Sequence, residues 1–252
     1  MQNMIIDCIA DLHGHYPKLE GGDLLIVAGD LTAMDKFIEY MDWHKWVCRQ
    51  DYKKVIWIAG NHDNLVEKGE FDPLPEWVMN ENRIRSNAVE YLCDSGTTFE
   101  YEKTIEGHQT TKELKIWGSP WTLAFPGINP LCTAFTGTEE ELEAKFQLIP
   151  DDVDILITHS PPYGILDFVV KYGPFSHERV QCVGSTSLLK RVFDIRPRVH
   201  IFGHIHESYG QYDHVQRKGA SEKLGITEIK FINCSHVNES YEPVNKPIRI
   251  VL

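Results

Sequence analysis

Val55-Ile56-Trp57-Ile58-Ala59-Gly60-Asn61-His62-Asp63-Asn64 is an apolar run that stops at a glycine and is followed at once by three chemically capable side chains. Five consecutive uncharged residues fit a strand buried on both faces, as in a sheet covered by other layers. Gly60 then permits a sharp exit. Asn61 offers a neutral carbonyl ligand or a hydrogen bond, His62 titrates near neutral pH, and Asp63 can orient a neighbouring imidazole. A polar turn between two ordinary elements would look the same in isolation. What separates the two readings is that the construction recurs four more times.

Met4-Ile5-Ile6-Asp7-Cys8-Ile9-Ala10 reads as the first strand and ends in Asp11-Leu12-His13-Gly14-His15. A carboxylate and an imidazole two apart leave a strand end pointing the same way, because side chains alternate with a period of two. Leu24-Leu25-Ile26-Val27-Ala28 runs into Gly29-Asp30; Val153-Asp154-Ile155-Leu156-Ile157 into Thr158-His159-Ser160; and Val199-His200-Ile201-Phe202 into Gly203-His204-Ile205-His206. Collected in order, the strand-end set is Asp11, His13, Asp30, Asn61, His62, His159, His204 and His206. His200 lies inside its strand and is expected in the core, whereas His15 is a candidate substrate contact. Mixed imidazole and carboxylate donors favour manganese, iron, zinc or nickel over calcium, and the absence of cysteine argues against a thiolate zinc site.

Between these ends the pattern predicts helices and a second sheet. Thr32 and Asp35 suggest a capped helix start, with Met34, Phe37, Ile38, Met41 and Cys48 as its core stripe. Thr138 and Glu141 form another capping box, and residues 187–194 read as a later helix. Residues 89–92 and 97–105 flank Asp94-Ser95-Gly96 like the arms of a hairpin. Residues 106–113 are polar and read as an exposed turn. Pro73 and Pro75 interrupt the region after the Gly60 turn, and residues 125–130 either overhang the site or form a surface connection.

Composition narrows the function classes. The 252 residues are 42% hydrophobic and 25% charged, within the range of a folded soluble chain, and carry a net charge of -12. That balance argues against sequence-independent grip on a nucleic-acid duplex. Two bound divalent ions would nevertheless make a local cationic site for an anionic substrate. The six cysteines, at 8, 48, 93, 132, 182 and 234, are scattered without a C-x-x-C pair, which fits reduced thiols in a cytoplasmic protein. No run approaches the length of a membrane span and no signal peptide is expected. A single domain covering residues 1–252 is the expectation.

The set D-x-H, G-D, G-N-H-D, strand-H and G-H-x-H, in that order and each after an apolar strand, resembles the calcineurin-like metallophosphoesterase superfamily. Within it, Ile116-Trp117-Gly118-Ser119-Pro120-Trp121 and the tail segments Ile232-Asn233-Cys234-Ser235 and Tyr241-Glu242-Pro243-Val244-Asn245-Lys246-Pro247 are similar to the small metallophosphoesterase-domain proteins. The resemblance implies an α/β fold, a four-layer αββα sandwich with two transition or other divalent metal ions between its sheets. It implies that Asp11, His13 and His206 hold one ion, that Asn61, His159 and His204 hold the other, and that Asp30 bridges them. His62 is then the general acid, oriented by Asp63, and a hydroxide between the metals attacks in line. The activity implied is hydrolysis of a small phosphodiester, a cyclic nucleotide among the candidates. The alternatives are a phosphomonoesterase or protein phosphatase, or a poorly active module that binds metal and nucleotide. Leu31-Thr32-Ala33 after Asp30 departs from the G-D-x-x-D-R pattern of serine/threonine protein phosphatases.

Overall fold

The computed structural model describes residues 4–71, 89–105, 108–125, 127, 130–172, 178–217 and 226–252. From β1 (Ile5–Ile9) and β2 (Gly22–Ala28) the chain passes through α1 (Phe37–Val47), β3 (Tyr52–Ile58), the short α2 (Asn64–Glu67) and β4 (Val89–Tyr91). There follow β5 (Ser95–Ile105), β6 (His108–Ser119), β7 (Thr122–Leu123), β8 (Thr136–Gly137), α3 (Glu139–Phe146) and β9 (Ile155–Thr158). The last elements are β10 (Phe168–Tyr172), β11 (Glu178–Cys182), α4 (Thr186–Ile195), β12 (Val199–Phe202), β13 (Gly210–Arg217), β14 (Ile226–Asn233) and β15 (Ile248–Val251).

Two sheets face each other. One has the order β15-β1-β2-β3-β4, the other β13-β14-β12-β9-β6-β5. Strands β1 to β4 are mutually parallel, as are β6, β9, β12 and β14. Period-two alternation sorts their side chains into layers. Ile6, Cys8, Ile26, Ile56 and Ile58 point inward against Ile116, Ile155, Ile157, Ile201 and Ile232 of the second sheet. Ile9, Leu25, Val27, Val55 and Trp57 point outward onto Tyr40, Trp43, Trp46 and Val47 of α1. On the far side Leu156, Phe202 and Phe231 meet Leu142 and Phe146 of α3 and Leu188 and Val192 of α4. The result is the expected four-layer αββα sandwich, and the run 55–59 is buried throughout.

Four expectations change. In α1 the buried stripe is aromatic, at Tyr40, Trp43, Trp46 and Val47, while Met34, Phe37 and Ile38 are 62%, 58% and 60% exposed. Both stripes have helical spacing, and the one with three large rings buries more apolar area, so it takes the sheet. The helix also begins later than the Thr32 and Asp35 pattern suggests. Its start is closed by Glu39, whose carboxylate accepts from the backbone N–H groups of Ala33, Met34 and Lys36. By contrast Thr138 and Glu141 form the reciprocal capping box as expected.

Residues 89–91 and 97–105 do not pair with each other. β4 adds in parallel to β3, and the chain then crosses to the second sheet, where β5 pairs antiparallel with β6. The polar residues from His108 onward therefore belong to a strand, whose exposed part pairs with β5 before β9 joins its other edge at Ile116. Pro73, Pro75, Glu106 and Gly107 lie outside the described residues. Strands β7, β8, β10, β11 and β13 carry no alternation strong enough to read in advance.

The α1 interface depends on Trp57, fully buried and tilted against Trp43 with ring centroids 4.6 Å apart. Trp57→Ala is expected to cost about 3–5 kcal/mol in urea denaturation. A change within about 0.5 kcal/mol, the range of surface substitutions, would contradict this packing.

Candidate metal centre

Every candidate side chain leaves the carboxyl end of a parallel strand, where ligands of open α/β sheets gather. Asp11 follows β1, Asp30 follows β2, and Asn61 and His62 follow β3. From the second sheet His159 follows β9, and His204 and His206 follow β12. Convergence needs sharp turns, and four of these residues, Asp11, His13, Asp30 and His204, have positive φ of 52°, 42°, 54° and 69°. Such conformations cost roughly 1–3 kcal/mol each and persist where function fixes them.

The sheets approach closely here. A Cβ on Gly60 would lie 2.6 Å from the Asp30 backbone N and 2.7 Å from His159 Cε1, besides striking the Asp30 carboxylate. One on Gly203 would lie 2.5 Å from Ala10 Cβ and strike the Asp11 carboxylate. Gly60→Ala is therefore expected to cost about 1–3 kcal/mol as an overpacked site. It is also expected to lower metal stoichiometry, measured by thermal melting and elemental analysis. Unchanged ion content would show that the Asp30 carboxylate has room to move.

Asp30 is the hub. Its Oδ2 lies 3.4 Å from His159 Nε2, 3.6 Å from His13 Nε2 and 4.0 Å from His62 Nε2, while its Oδ1 accepts from the His62 backbone N–H at 2.9 Å. His206 Nε2 lies 3.3 Å from His13 Nε2 and 3.7 Å from Asp11 Oδ1. His159 Nε2 is 3.0 Å from Asn61 Oδ1. Three overlapping donor groups result: Asp11, His13 and His206; His13, Asp30 and His62; and Asp11, Asp30 and His159. The His204 ring stands 5.0 Å from that of His159.

The chemistry of this set fits divalent ions. His206 Nδ1 faces the Asn238 carbonyl at 3.2 Å and His159 Nδ1 faces the Ala28 carbonyl at 2.9 Å. A carbonyl only accepts, so each Nδ1 carries a proton and each Nε2 is the ring atom turned toward the cluster, able to offer its lone pair once unprotonated. Bonds of about 2.0–2.2 Å place ligands roughly 3.0–3.6 Å apart, close to the spacings found here. Asp11 is braced by Ser235 Oγ at 2.5 Å and by the His204 backbone N–H at 2.9 Å.

Charge follows the same geometry. Burial pulls the His159 pKa down, but the charge and hydrogen bond of Asp30, then the charge of Asp11, raise it to about 9. Burial pushes Asp11 up, yet the hydrogen bond and charge of His206 and the charge of His159 bring it to about 2. Burial holds His13 at about 4 and His204 at about 3, both neutral near pH 7. Burial opposes charge on His206 as well, but the hydrogen bond and charge of Asp11 raise its pKa, so the imidazoles beside Asp11 and Asp30 are biased toward the positive charge that a cation would supply.

One placement differs from the sequence reading. Asp63 does not orient His62: its carboxylate accepts from the backbone N–H groups of Gly60 at 2.8 Å and Leu31 at 3.1 Å, tying β2 to β3. His62 Nδ1 instead faces the Ala33 carbonyl at 3.4 Å and Cys132 Sγ at 3.3 Å. His15, the candidate substrate contact, lies outside the donor groups and lines a cavity that opens beside His13 and His62. His200 is a core residue as expected, hydrogen-bonded to Thr158 Oγ1 at 2.8 Å. The sequence reading assigns no role to Ser235, Asn238, Cys132 or Tyr241: Ser235 and Tyr241 fall in the tail segments that carry the resemblance, but what each side chain touches depends on loop conformation that their sequence does not mark.

The family profile described as calcineurin-like phosphoesterase matches residues 4–208. The chain belongs to this family. It is 33% identical over 262 residues to metallophosphoesterase domain-containing protein 1 of Homo sapiens, covering 97% of this chain and 70% of that protein. The Mus musculus protein of the same name matches equally. Among solved structures, TT1561 of Thermus thermophilus superposes with a TM-score of 0.54 at 13% identity, covering 93% of this chain and 92% of that one, and so shares the fold. Family members use divalent metals, and the donor groups agree: the chain is a metal-dependent phosphoesterase. Among the described residues no helix is long and apolar enough to cross a membrane.

Proposed function

We propose that this phosphoesterase is a phosphodiesterase acting on small phosphodiesters, nucleotide esters and cyclic nucleotides among the candidates, with His62 as the general acid. The observation that carries this reading is the lining of the cavity beside the donor groups. It encloses about 400 Å³ and includes Asp30, Asn61, His62, His204 and His206. Among the described residues lining it there is no lysine or arginine. A monoester is a dianion at neutral pH and is commonly clamped by guanidinium or ammonium groups, whereas a diester carries one charge that the metal site alone can balance.

In this reading Asp11, His13 and His206 would hold one ion and Asn61, His159 and His204 a second, and Asp30 would serve both. When bound, the ions supply Lewis acidity and lower the pKa of coordinated water. The chain does the rest. The buried carboxylates and imidazoles would hold the ions that balance the phosphoryl charge, water adds to phosphorus, and one P–O ester bond breaks. The proton lost by water leaves to solvent, and His62 supplies one from Nε2 to the departing oxygen, giving a monoester and an alcohol. Its Nδ1 side is held by the Ala33 carbonyl and Cys132, so Nε2 is the free end of the ring.

The deciding measurement compares bis(4-nitrophenyl) phosphate with 4-nitrophenyl phosphate in the presence of Mn²⁺. The diester is expected to have the larger kcat/KM. Turnover of the monoester alone would assign a phosphatase, and no turnover of either with ions bound would assign a binding module.

A further inference from the structure

Tyr241 lies beyond the 4–208 segment that matches the family, on a loop following β14. Yet its ring packs edge-on against two of the candidate ligands, with centroids 4.9 Å from His13 and 5.2 Å from His206, and stands 6.2 Å from His62. The loop is built to put it there. Tyr241 has a left-handed backbone, φ 60°, which is uncommon for a residue with a bulky side chain. Asn238 holds that conformation: its carbonyl accepts from the Tyr241 N–H at 2.9 Å, and its side-chain oxygen accepts from Ser240 and Glu242 at 3.0 and 2.9 Å. The same Asn238 carbonyl faces His206 Nδ1. One residue thus sets both a candidate ligand and the tyrosine beside it.

Space opens on both sides of this ring. The cavity of about 400 Å³ contains the half-buried Phe125, whose ring lies nearly parallel to that of His204, 20° apart in plane with centroids at 6.1 Å. A second cavity of about 660 Å³ is bordered by His13, His15, Met34, Lys68 and Leu131. Met34 and Leu131 are 62% and 75% exposed, apolar side chains standing at its mouth. Tyr241 and His62 line both cavities, together with Pro130, Cys132 and Thr133, so the donor groups sit at the junction. A phosphoryl centre held at that junction has room for an ester arm on either side.

We infer that Tyr241 is a specificity-determining residue that divides the substrate cleft into two subsites, and that the substrate is an acyclic phosphodiester with two substantial arms. One arm lies flat against Phe125, and the other passes between Met34 and Leu131 toward Lys68. This rests on the phosphodiesterase reading and narrows it, away from cyclic nucleotides whose two ester oxygens belong to one group. Flat rings suit the Phe125 side because stacking tolerates any aromatic face.

The test keeps the departing group constant. Bis(4-nitrophenyl) phosphate and methyl 4-nitrophenyl phosphate both release 4-nitrophenolate, but only the first fills both subsites; 2′,3′-cyclic AMP serves as the one-group comparison. The Mn²⁺-loaded protein is expected to favour the two-armed ester in kcat/KM by at least about tenfold, the worth of a filled apolar contact. Tyr241→Ala is expected to erase most of that preference by raising KM for the two-armed ester alone, and Tyr241→Phe to retain it. Met34→Asp, on an exposed side chain, tests the second subsite without risk to the core and is expected to raise the same KM. Independently of turnover, diphenyl phosphate is expected to raise the melting temperature more than dimethyl phosphate, and Tyr241→Ala to remove the difference. Equal kcat/KM for the two methyl- and aryl-armed esters, or a uniform loss in Tyr241→Ala, overturns the inference while leaving a phosphodiesterase. Failure to cleave any diester overturns both.

Discussion

Asp30→Asn is expected to remove ion binding and turnover together while leaving the fold in place. The substitution keeps the side chain's shape and the acceptor for the His62 N–H, now 2.9 Å from Oδ1. It removes the negative charge that three imidazoles face. Fewer than one ion per chain should remain by elemental analysis, and kcat/KM should fall by at least about 10³-fold, since charge stabilisation by the ions is worth several kcal/mol. Retention of two tightly bound ions would show that Asp30 is not shared between the donor groups.

The same variant changes the pH dependence of the metal-free protein. His159 has its pKa raised from 6.5 to about 9: burial, the largest single influence, opposes its charge, but the charge and hydrogen bond of Asp30, the charge of Asp11 and the Ala28 carbonyl together outweigh it. The pair therefore stabilises the fold fully below about pH 6.5, and that contribution is lost as pH rises through about 9. An ion that takes the Nε2 lone pair must displace this proton, so affinity should rise with pH across that window. In Asp30→Asn the alkaline loss of melting temperature should shrink. An unchanged profile would assign the proton elsewhere.

Much of this architecture was legible in the residues. Each strand that delivers a ligand reaches its site through a mainly apolar run, interrupted by Asp7 in β1 and His200 in β12, because both faces of its sheet are covered, and each ends at the polar groups that the fold brings together. The glycines at 60 and 203 were visible as turn makers; that a Cβ would strike Asp30 or Asp11 was not, since the clash comes from residues distant in sequence. The α1 stripe misled because two helical faces share one periodicity, and only the shape of the sheet decides between methionine, phenylalanine and isoleucine on one side and three aromatic rings on the other. Asp63 misled for a related reason. A carboxylate next to a histidine in sequence points elsewhere when two backbone N–H groups, those of Gly60 and Leu31, need an acceptor in the same buried turn. Tyr241 and Asn238 left no periodic trace at all: their positions depend on a turn closed by side-chain hydrogen bonds to its own backbone.

The second large effect concerns His62, whose position allows two roles. With Asp30 and His13 it forms one of the three donor groups, so proximity alone would make it a ligand. Yet its Nε2 is 4.0 Å from Asp30 Oδ2, the longest of the three imidazole approaches, and its Nδ1 side rests on the Ala33 carbonyl and Cys132. A proton donor needs that free Nε2. His62→Asn should leave ion content unchanged and lower kcat by about 10²–10⁴-fold for a diester whose departing arm is an alkyl alcohol, which leaves poorly without a proton. For a 4-nitrophenyl arm, which departs as a stabilised anion, the loss should be much smaller. The dependence on the departing group is the signature, because a lost ligand would depress both substrates alike. Loss of one ion per chain in His62→Asn, with equal damage to both substrates, would make His62 a ligand and leave protonation of the alcohol to another group.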